Sequence, residues 1–398
     1  MSLQHDARRA EIVVDLAAVR HNVRRLAAEV GPDVALMVVV KADAYGHGLL
    51  PVARAAREAG APWLGVATLD EALALRAGGD TGRLLAWLTV PGEDWAPAVA
   101  ADVDVTAYTT GELDDLVDAV ARAGRPARLQ LKIDTGLNRG GCTPADWPAL
   151  VAAAREGERA GHWRVTGIWS HLAVADEPEH PANDAQEKVF REAVETAEAA
   201  GLEPEVRHLA NSAGALLRPS ARFDLVRAGI ASYGLDPAPG RTPDIGLRPA
   251  MTASATVAMT KRLAPGDGVS YGHTWVADEP VTVGLLPVGY ADGVPRHAGN
   301  TAHVGVAGVR RPVRGRVCMD QLVVELAGPG EEPAVAAGER VVLFGRAPDP
   351  TAQDWAEACG TISYEIVSRI GGRFTRRWTD TDPEHPETDT DTDTEEQP

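Results

Sequence analysis

A lysine ends the apolar run Val38-Val39-Val40 and opens the stretch Lys41-Ala42-Asp43-Ala44-Tyr45-Gly46-His47-Gly48. The β-branched run predicts a buried strand, and the small residues after it predict a loop. A lysine placed there is desolvated yet close to water, which lowers its pKa and leaves a neutral amine able to form a Schiff base. Read alone, a lysine at a strand end is also a plain cap. Other reactive residue types interrupt apolar runs in the same manner. Lys132, Asp134 and Arg139 lie in Leu131-Lys132-Ile133-Asp134-Thr135-Gly136-Leu137-Asn138-Arg139-Gly140, and His171 follows Ile168-Trp169-Ser170. Asn211 and Ser212 follow Leu209-Ala210, and Arg227, Gly229 and Ile230 follow Leu225-Val226.

Those interruptions need a scaffold that gathers them. Apolar runs at 36–40, 63–67, 84–90, 103–108, 129–133, 165–169, 206–209 and 223–226 predict strands, and amphipathic Ala-rich stretches at 15–30, 69–77, 111–123 and 183–200 predict helices between them. Eight such β/α units satisfy a closed (β/α)8 barrel, whose reactive residues gather at the C-terminal ends of the strands. An open doubly wound sheet fits the count as well, but no GxGxxG follows the first strand. Beyond a boundary at 243–249, β-rich segments at 252–260, 281–287, 317–326, 340–344 and 362–368 alternate with Gly and Pro, predicting a mostly antiparallel β domain. The expected organisation is a flexible N-terminus at 1–10, a barrel at 11–245, a β domain at 246–378 and a disordered acidic tail at 379–398.

The chain has 398 residues and a formal charge of −18, which argues against nucleic acid as a partner. Nine acidic residues and no Lys or Arg follow Trp378, so half of that excess is local to the tail. No apolar run is long enough for a membrane span, and Met1 to Arg9 lacks a signal-peptide core, so a cytoplasmic location is expected. Cys142, Cys318 and Cys359 form no CxxC pair, in keeping with reduced thiols.

Lys41-Ala42-Asp43-Ala44-Tyr45-Gly46-His47-Gly48 strongly resembles the pyridoxal-phosphate lysine motif of the alanine racemases, and further motifs in order extend the resemblance over about residues 11 to 370. The resemblance implies that Lys41 carries pyridoxal 5'-phosphate as an aldimine and that L- and D-alanine are interconverted, supplying D-alanine for peptidoglycan. It implies phosphate contacts from Tyr45, Ser212, Gly229, Ile230 and Tyr364, with Asn211 among the cofactor-binding residues, although Ser212 also reads as an N-cap. Arg227 is implied as the partner of the pyridine nitrogen. A guanidinium there has no acceptor for the ring's proton, so the nitrogen stays unprotonated and side reactions are curbed.

Two groups must move protons on opposite faces of the substrate carbon. The family likeness assigns one face to Lys41 and the other to Tyr271, in Gly268-Val269-Ser270-Tyr271-Gly272-His273-Thr274, with His171 as partner of the phenol. A phenol needs such cationic or hydrogen-bonding neighbours to act near neutral pH. Cys318-Met319-Asp320 resembles the loop whose Met N–H holds the substrate carboxylate, Arg139 the group facing that carboxylate, and Lys132 a lysine that in many racemases carries a carbamate. Tyr290, Arg296, Arg316, Ile362 and Asp176 match the substrate access channel, and Tyr271 is expected to reach the site of the other subunit in a homodimer. The likeness departs at Ala228 and Ser232, and at Gly371-Gly372-Arg373-Phe374-Thr375-Arg376-Arg377-Trp378, where the family usually has a Pro-Arg segment. The rival readings are a racemase of serine and other small amino acids, a decarboxylase of the same architecture, and a pyridoxal-phosphate-carrying single barrel. The β domain argues against the last.

Overall fold

The computed structural model describes residues 8–380. Of the expected terminal segments at 1–10 and 379–398, residues 1–7 and 381–398 lie outside the described residues, while Ala10 and Thr379 belong to strands. Nine strands open the fold: β1 (Ala10–Asp15), β2 (Ala35–Val39), β3 (Trp63–Val66), β4 (Arg83–Ala86), β5 (Asp104–Ala107), β6 (Ala127–Lys132), β7 (Trp163–Trp169), β8 (Val206–His208) and β9 (Leu225–Ala228). Strands β2 to β9 form one parallel sheet in the order β8-β7-β6-β5-β4-β3-β2-β9. It closes at its two ends, where Asp224 N–H donates to Arg207 O at 3.1 Å and Arg227 N–H to Ala210 O at 3.0 Å. The (β/α)8 barrel is therefore present. Parallel strands covered by helices are buried on both faces, which is why their sequences read as unbroken apolar runs.

The sequence-based limits shift at several places. The strand expected at 84–90 ends at Ala86, because the N–H groups of Trp87 and Leu88 both turn to Ala67 O, at 3.2 and 2.7 Å. The helices expected near 69 and 111 are Leu69–Ala77 and Thr110–Ala123. Each starts on a capping box, with Thr68 and Glu71 in the first and Thr109 and Glu112 in the second.

The second sheet has nine strands. In spatial order they are Met259–Leu263, Val281–Leu286, Leu322–Ala327, Val309–Arg314, His303–Val306, Arg340–Phe344, Met251–Thr256, β1 and Thr375–Thr379. Two expectations are corrected here. A barrel boundary at residue 11 places β1 with the barrel, but β1 pairs antiparallel with Met251–Thr256 and parallel with Thr375–Thr379. Its buried Ala10, Ile12 and Val14 alternate, as a strand of an antiparallel face does, and Glu11 between them pairs with Arg340 and Arg377. The segment at 362–368 is not a strand but the helix Ser363–Arg369, preceded by the helix Ala352–Cys359. Ile362, Tyr364, Ile366 and Ser368 alternate like a strand, yet the residues buried are Ser363, Ile366 and Val367, at helical spacing.

Candidate active site

Lys41 stands at the end of β2, where the chain turns with an unusual hand. Ala42, Asp43, Ala44 and Tyr45 all have φ of 53–54°, a left-handed turn built without glycine. That conformation costs on the order of 1–2 kcal/mol per residue, so surrounding structure must impose it. Ala42 N–H donates to Glu71 at 2.6 Å, and the Asp43 carboxylate accepts Leu49 N–H at 2.8 Å and pairs with Arg376 at 2.5 Å. The Trp378 indole N–H donates to His47 O at 2.8 Å, while its ring lies so close to Gly48 that a Cβ there would sit 2.6 Å away. Beneath the turn, Tyr233 donates to Val39 O at 2.8 Å and stacks on His47, with ring centroids 4.4 Å apart. Arg376 and Trp378 come from the last strand of the second sheet, so the β domain clasps the lysine loop of its own chain.

Around Lys41 the barrel mouth is strongly cationic. Burial and the positive charge of Arg139 lower the Lys41 pKa, with Glu71 opposing, which satisfies the expectation of a partly neutral amine. Lys132 lies over the rings of Trp169 and Tyr108, at 4.5 and 5.2 Å. Burial, then Arg227 and Arg139, push its pKa down to about 8. Arg139 itself is exposed at the rim, after a turn in which Asp134 accepts the N–H groups of Gly136 and Asn138.

Arg227 is 4 % exposed, and among the described residues it forms no ion pair with a carboxylate. Its guanidinium donates to Ser170 O at 2.8 Å, Leu209 O at 2.9 Å, His208 O at 3.2 Å, and to Nδ1 of His208 and His171 at 2.9 and 3.1 Å. Burial lowers its pKa to about 9, which still leaves it charged at neutral pH. A guanidinium only donates, so both Nδ1 atoms accept and both imidazoles are neutral with the proton on Nε2. His208 passes that proton's hydrogen bond to Gln130 at 2.8 Å. For His171, burial and four surrounding cations favour the same neutral form.

On the other side of the mouth lie the residues expected to hold phosphate. Asn211 is the N-cap of the helix Ser212–Leu217, accepting Gly214 N–H at 2.9 Å, so the cap reading of Ser212 is corrected. The Ser212 hydroxyl accepts Gly229 N–H instead, at 2.9 Å. Gly229 is required here, because a Cβ would meet the Tyr45 hydroxyl at 2.4 Å. The Tyr45 and Tyr364 rings lie 6.1 Å apart, and Asp176 is near enough to help raise the Tyr364 pKa. Ile230 opens the short turn Ile230–Tyr233 after Gly229, in which the departure at Ser232 is accommodated by a hydrogen bond to Ala228 O at 3.2 Å.

Lys41, Tyr45, Lys132, Arg139, His171, Ser212, Arg227, Gly229 and Tyr364 thus converge on one mouth. Tyr271, Tyr290, Met319 and Ile362 are instead 73, 41, 54 and 59 % exposed. Tyr271 follows Ser270, whose hydroxyl donates to Arg316 O at 2.7 Å, and Arg296 opens the short turn Arg296–Ala298. Among the described residues no hydrogen bond or ring contact joins Tyr271 to Lys41 or His171. Sequence reasoning missed His208, Trp169 as a ring under two cations, and Tyr233. Their only signal is position at or just after strand ends.

The family models for the alanine racemase N-terminal domain and C-terminal domain match residues 14–237 and 250–378. The chain is 54 % identical over 364 residues to an alanine racemase of Salinispora arenicola, covering 91 % of this chain and 96 % of that one. It is also 54 % identical to an alanine racemase of Streptomyces coelicolor, over 92 % of this chain and 95 % of that one. A crystal structure of alanine racemase from D-cycloserine-producing Streptomyces lavendulae superposes with a TM-score of 0.90 at 50 % identity, covering 94 % of this chain and 97 % of that chain.

Proposed function

The chain belongs to the alanine racemase family, and from that premise we propose that it interconverts L- and D-alanine with pyridoxal 5'-phosphate at the barrel mouth and Tyr271 supplied by the partner copy of a homodimer. The observation that carries this reading is the pairing of a cationic barrel mouth, organised around a lysine of lowered pKa, with a glycine whose Cβ position is closed off by Tyr45. The donor set fits the cofactor. Tyr45, Ser212, Gly229 and Tyr364 suit a phosphate, Lys41 an aldehyde carbon and Arg227 an unprotonated ring nitrogen. The cofactor, when bound, supplies the electron sink that makes the Cα proton of alanine acidic.

The chain's own residues do the rest. Lys41, released as a neutral amine, takes or returns the Cα proton on one face, and the Tyr271 phenol oxygen serves the other. His171 is neutral with its Nε2–H unspent by Arg227, so it can donate to the phenol oxygen and stabilise its deprotonated form. Arg139 and the Met319 N–H suit the carboxylate of alanine. Lys132 is fitted for a carbamate: its lowered pKa supplies the neutral amine that reacts with carbon dioxide, and the resulting anion would relieve the repulsion from Arg139 and Arg227. The relatives named above favour neither the decarboxylase nor the broader racemase reading.

Among the described residues no helix is long and apolar enough to cross a membrane. We place the enzyme in the cytoplasm, supplying D-alanine for peptidoglycan. The test is D-alanine formation from L-alanine by the cofactor-loaded protein. Lys41→Ala should abolish it, along with the visible absorbance of bound cofactor, while far-UV circular dichroism stays as in the wild type. Wild-type turnover by Lys41→Ala would overturn the assignment.

A further inference from the structure

Three segments far apart in the chain meet beside Met319. The turn at residues 289–293 lies against the Cys318-Met319-Asp320 loop, with Tyr290 N–H donating to Cys318 O and Ala291 N–H to Met319 O, both at 3.0 Å. Asp292 is 1 % exposed and closes that turn by accepting Gly289 N–H at 3.0 Å. The third segment brings Arg373. Its Nε and Nη2 donate to the two oxygens of Asp292 at 2.6 and 2.7 Å, and its backbone N–H donates to Oδ1 at 3.2 Å. Its remaining nitrogen, Nη1, donates to Asp320 at 2.6 Å.

One guanidinium therefore bridges a buried carboxylate under the Tyr290 turn and an exposed carboxylate next to Met319. The approach is built into the backbone. Gly372 has φ of 59°, and a Cβ there would lie 2.9 Å from Ala291 O. Gly371 N–H donates to Asp292 O at 3.1 Å. A side chain at Gly372 would have neither the φ nor the room, so this glycine permits the close approach that presents Arg373 to both carboxylates.

We propose that Arg373 is a positioning residue for substrate binding. It locks the 318–320 loop against the 289–293 turn and so fixes the Met319 N–H and the Tyr290 side chain where alanine is received. The inference rests on the proposed role of Met319 in holding the alanine carboxylate. Met319 and Tyr290 are both exposed and have little apolar packing to hold them, so the polar clamp sets their relative place. The planar fork of arginine reaches both carboxylates at once, and a lysine ammonium reaches only one with matching geometry.

The test combines amide hydrogen exchange with steady-state kinetics on the cofactor-loaded full-length protein. In Arg373→Ala the amides of Ala291 and Met319 should exchange faster and KM for alanine should rise about tenfold. The kcat should stay within about threefold of wild type, and the visible cofactor spectrum should be unchanged. Guanidinium ion at non-denaturing concentration should restore KM. Asp320→Ala removes only the exposed arm of the bridge and leaves the buried pair with Asp292, so it keeps the test alive should Arg373→Ala not fold. A smaller rise of KM is expected from it. Wild-type exchange and KM in the folded variants would overturn the proposal, as would a fall in kcat at unchanged KM. In the wild type, alanine should slow exchange at the Met319 amide. If it does not, the carboxylate role of Met319 fails, and the inference falls with it for a reason separable from any defect in the clamp.

Discussion

The barrel mouth and the face of the β domain solve opposite problems. At the mouth, both terminal nitrogens of Arg227 are held by protein acceptors, His208 is wholly buried, and four consecutive left-handed residues are held by contacts from the last strand. On the β domain, Tyr271, Met319 and Ile362 are presented outward, 73, 54 and 59 % exposed. A buried half held by such contacts fixes charge and geometry before any ligand arrives. An outward half with large apolar side chains is what a second copy can complete. The lesson is that Tyr271 is left outward while Tyr364, Arg376 and Trp378 of the same β domain reach the barrel mouth, which is the division the proposed homodimer accounts for.

The prediction with the largest effect attacks that division directly. Lys41→Ala and Tyr271→Ala should each be inactive alone. After free reassortment of subunits, half of the dimers are hybrids, each with one doubly defective site and one intact site, so roughly a quarter of all sites should work. Persistent inactivity after verified exchange would show that each site is built within one chain, and the contrast drawn above would collapse.

A smaller but diagnostic effect is expected inside the mouth. Arg227→Glu should let the ring nitrogen of the bound cofactor keep a proton and slow racemisation by roughly 10²–10⁴-fold. Transamination should rise, with a long-wavelength absorbance band during turnover. Unchanged partition between the reactions would remove Arg227 from the ring nitrogen. Lys132→Ala should act less, up to about 10²-fold through misplacement of Arg139. Acetate should restore part of the loss if an anion is what the site lacks. Mass measurement of the wild type checks the carbamate directly, and an unmodified Lys132 in a fully active enzyme would end that assignment.

The two regions also differ in how far sequence could reveal them. The parallel strands were legible because burial on both faces leaves continuous apolar runs, and Lys41, His171 and Arg227 stood out by ending or interrupting those runs. The left-handed turn was not legible. Nothing in Ala42-Asp43-Ala44-Tyr45 signals positive φ; the conformation is imposed by Arg376 and Trp378, more than three hundred residues later. His208 was missed because its meaning lies in a contact to Arg227 across a neighbouring strand. The helix Ser363–Arg369 was misread because its partly exposed alternating residues imitate a strand, and β1 because pairing partners are not written in a strand's own residues.

The smallest expected effect sharpens the comparison through pH. His47 lies under the lysine loop with its Nδ1–H shared between Ala44 O and Tyr45 O, at 3.0 and 2.9 Å, while its Nε2 is buried without a partner. Protonation would place a second N–H where nothing can accept it, and burial accordingly lowers the pKa to about 4. An unfolded chain would bind the proton near the ordinary histidine value of about 6.5. Between those values the unfolded state holds more protons than the folded one, so stability falls as pH falls. At about 1.36 kcal/mol per pH unit, His47 alone should cost about 2 kcal/mol by pH ~5. His171 and His208 act in the same direction. In the β domain the sign of the shift belongs to carboxylates. Asp292 and Asp354 are held below the ordinary value by Arg373, Arg310 and backbone N–H groups, so their contribution persists until pH falls through those lowered values. Mild acid should therefore loosen the barrel mouth first. Hydrogen exchange between pH 7 and pH ~5 should rise around residues 41–48 before it rises around 289–293. His47→Asn keeps an N–H near the Nδ1 position and does not titrate, so it should flatten the dependence. Simultaneous loosening of both regions, or an unchanged slope in His47→Asn, would remove the buried histidines as the source of the difference.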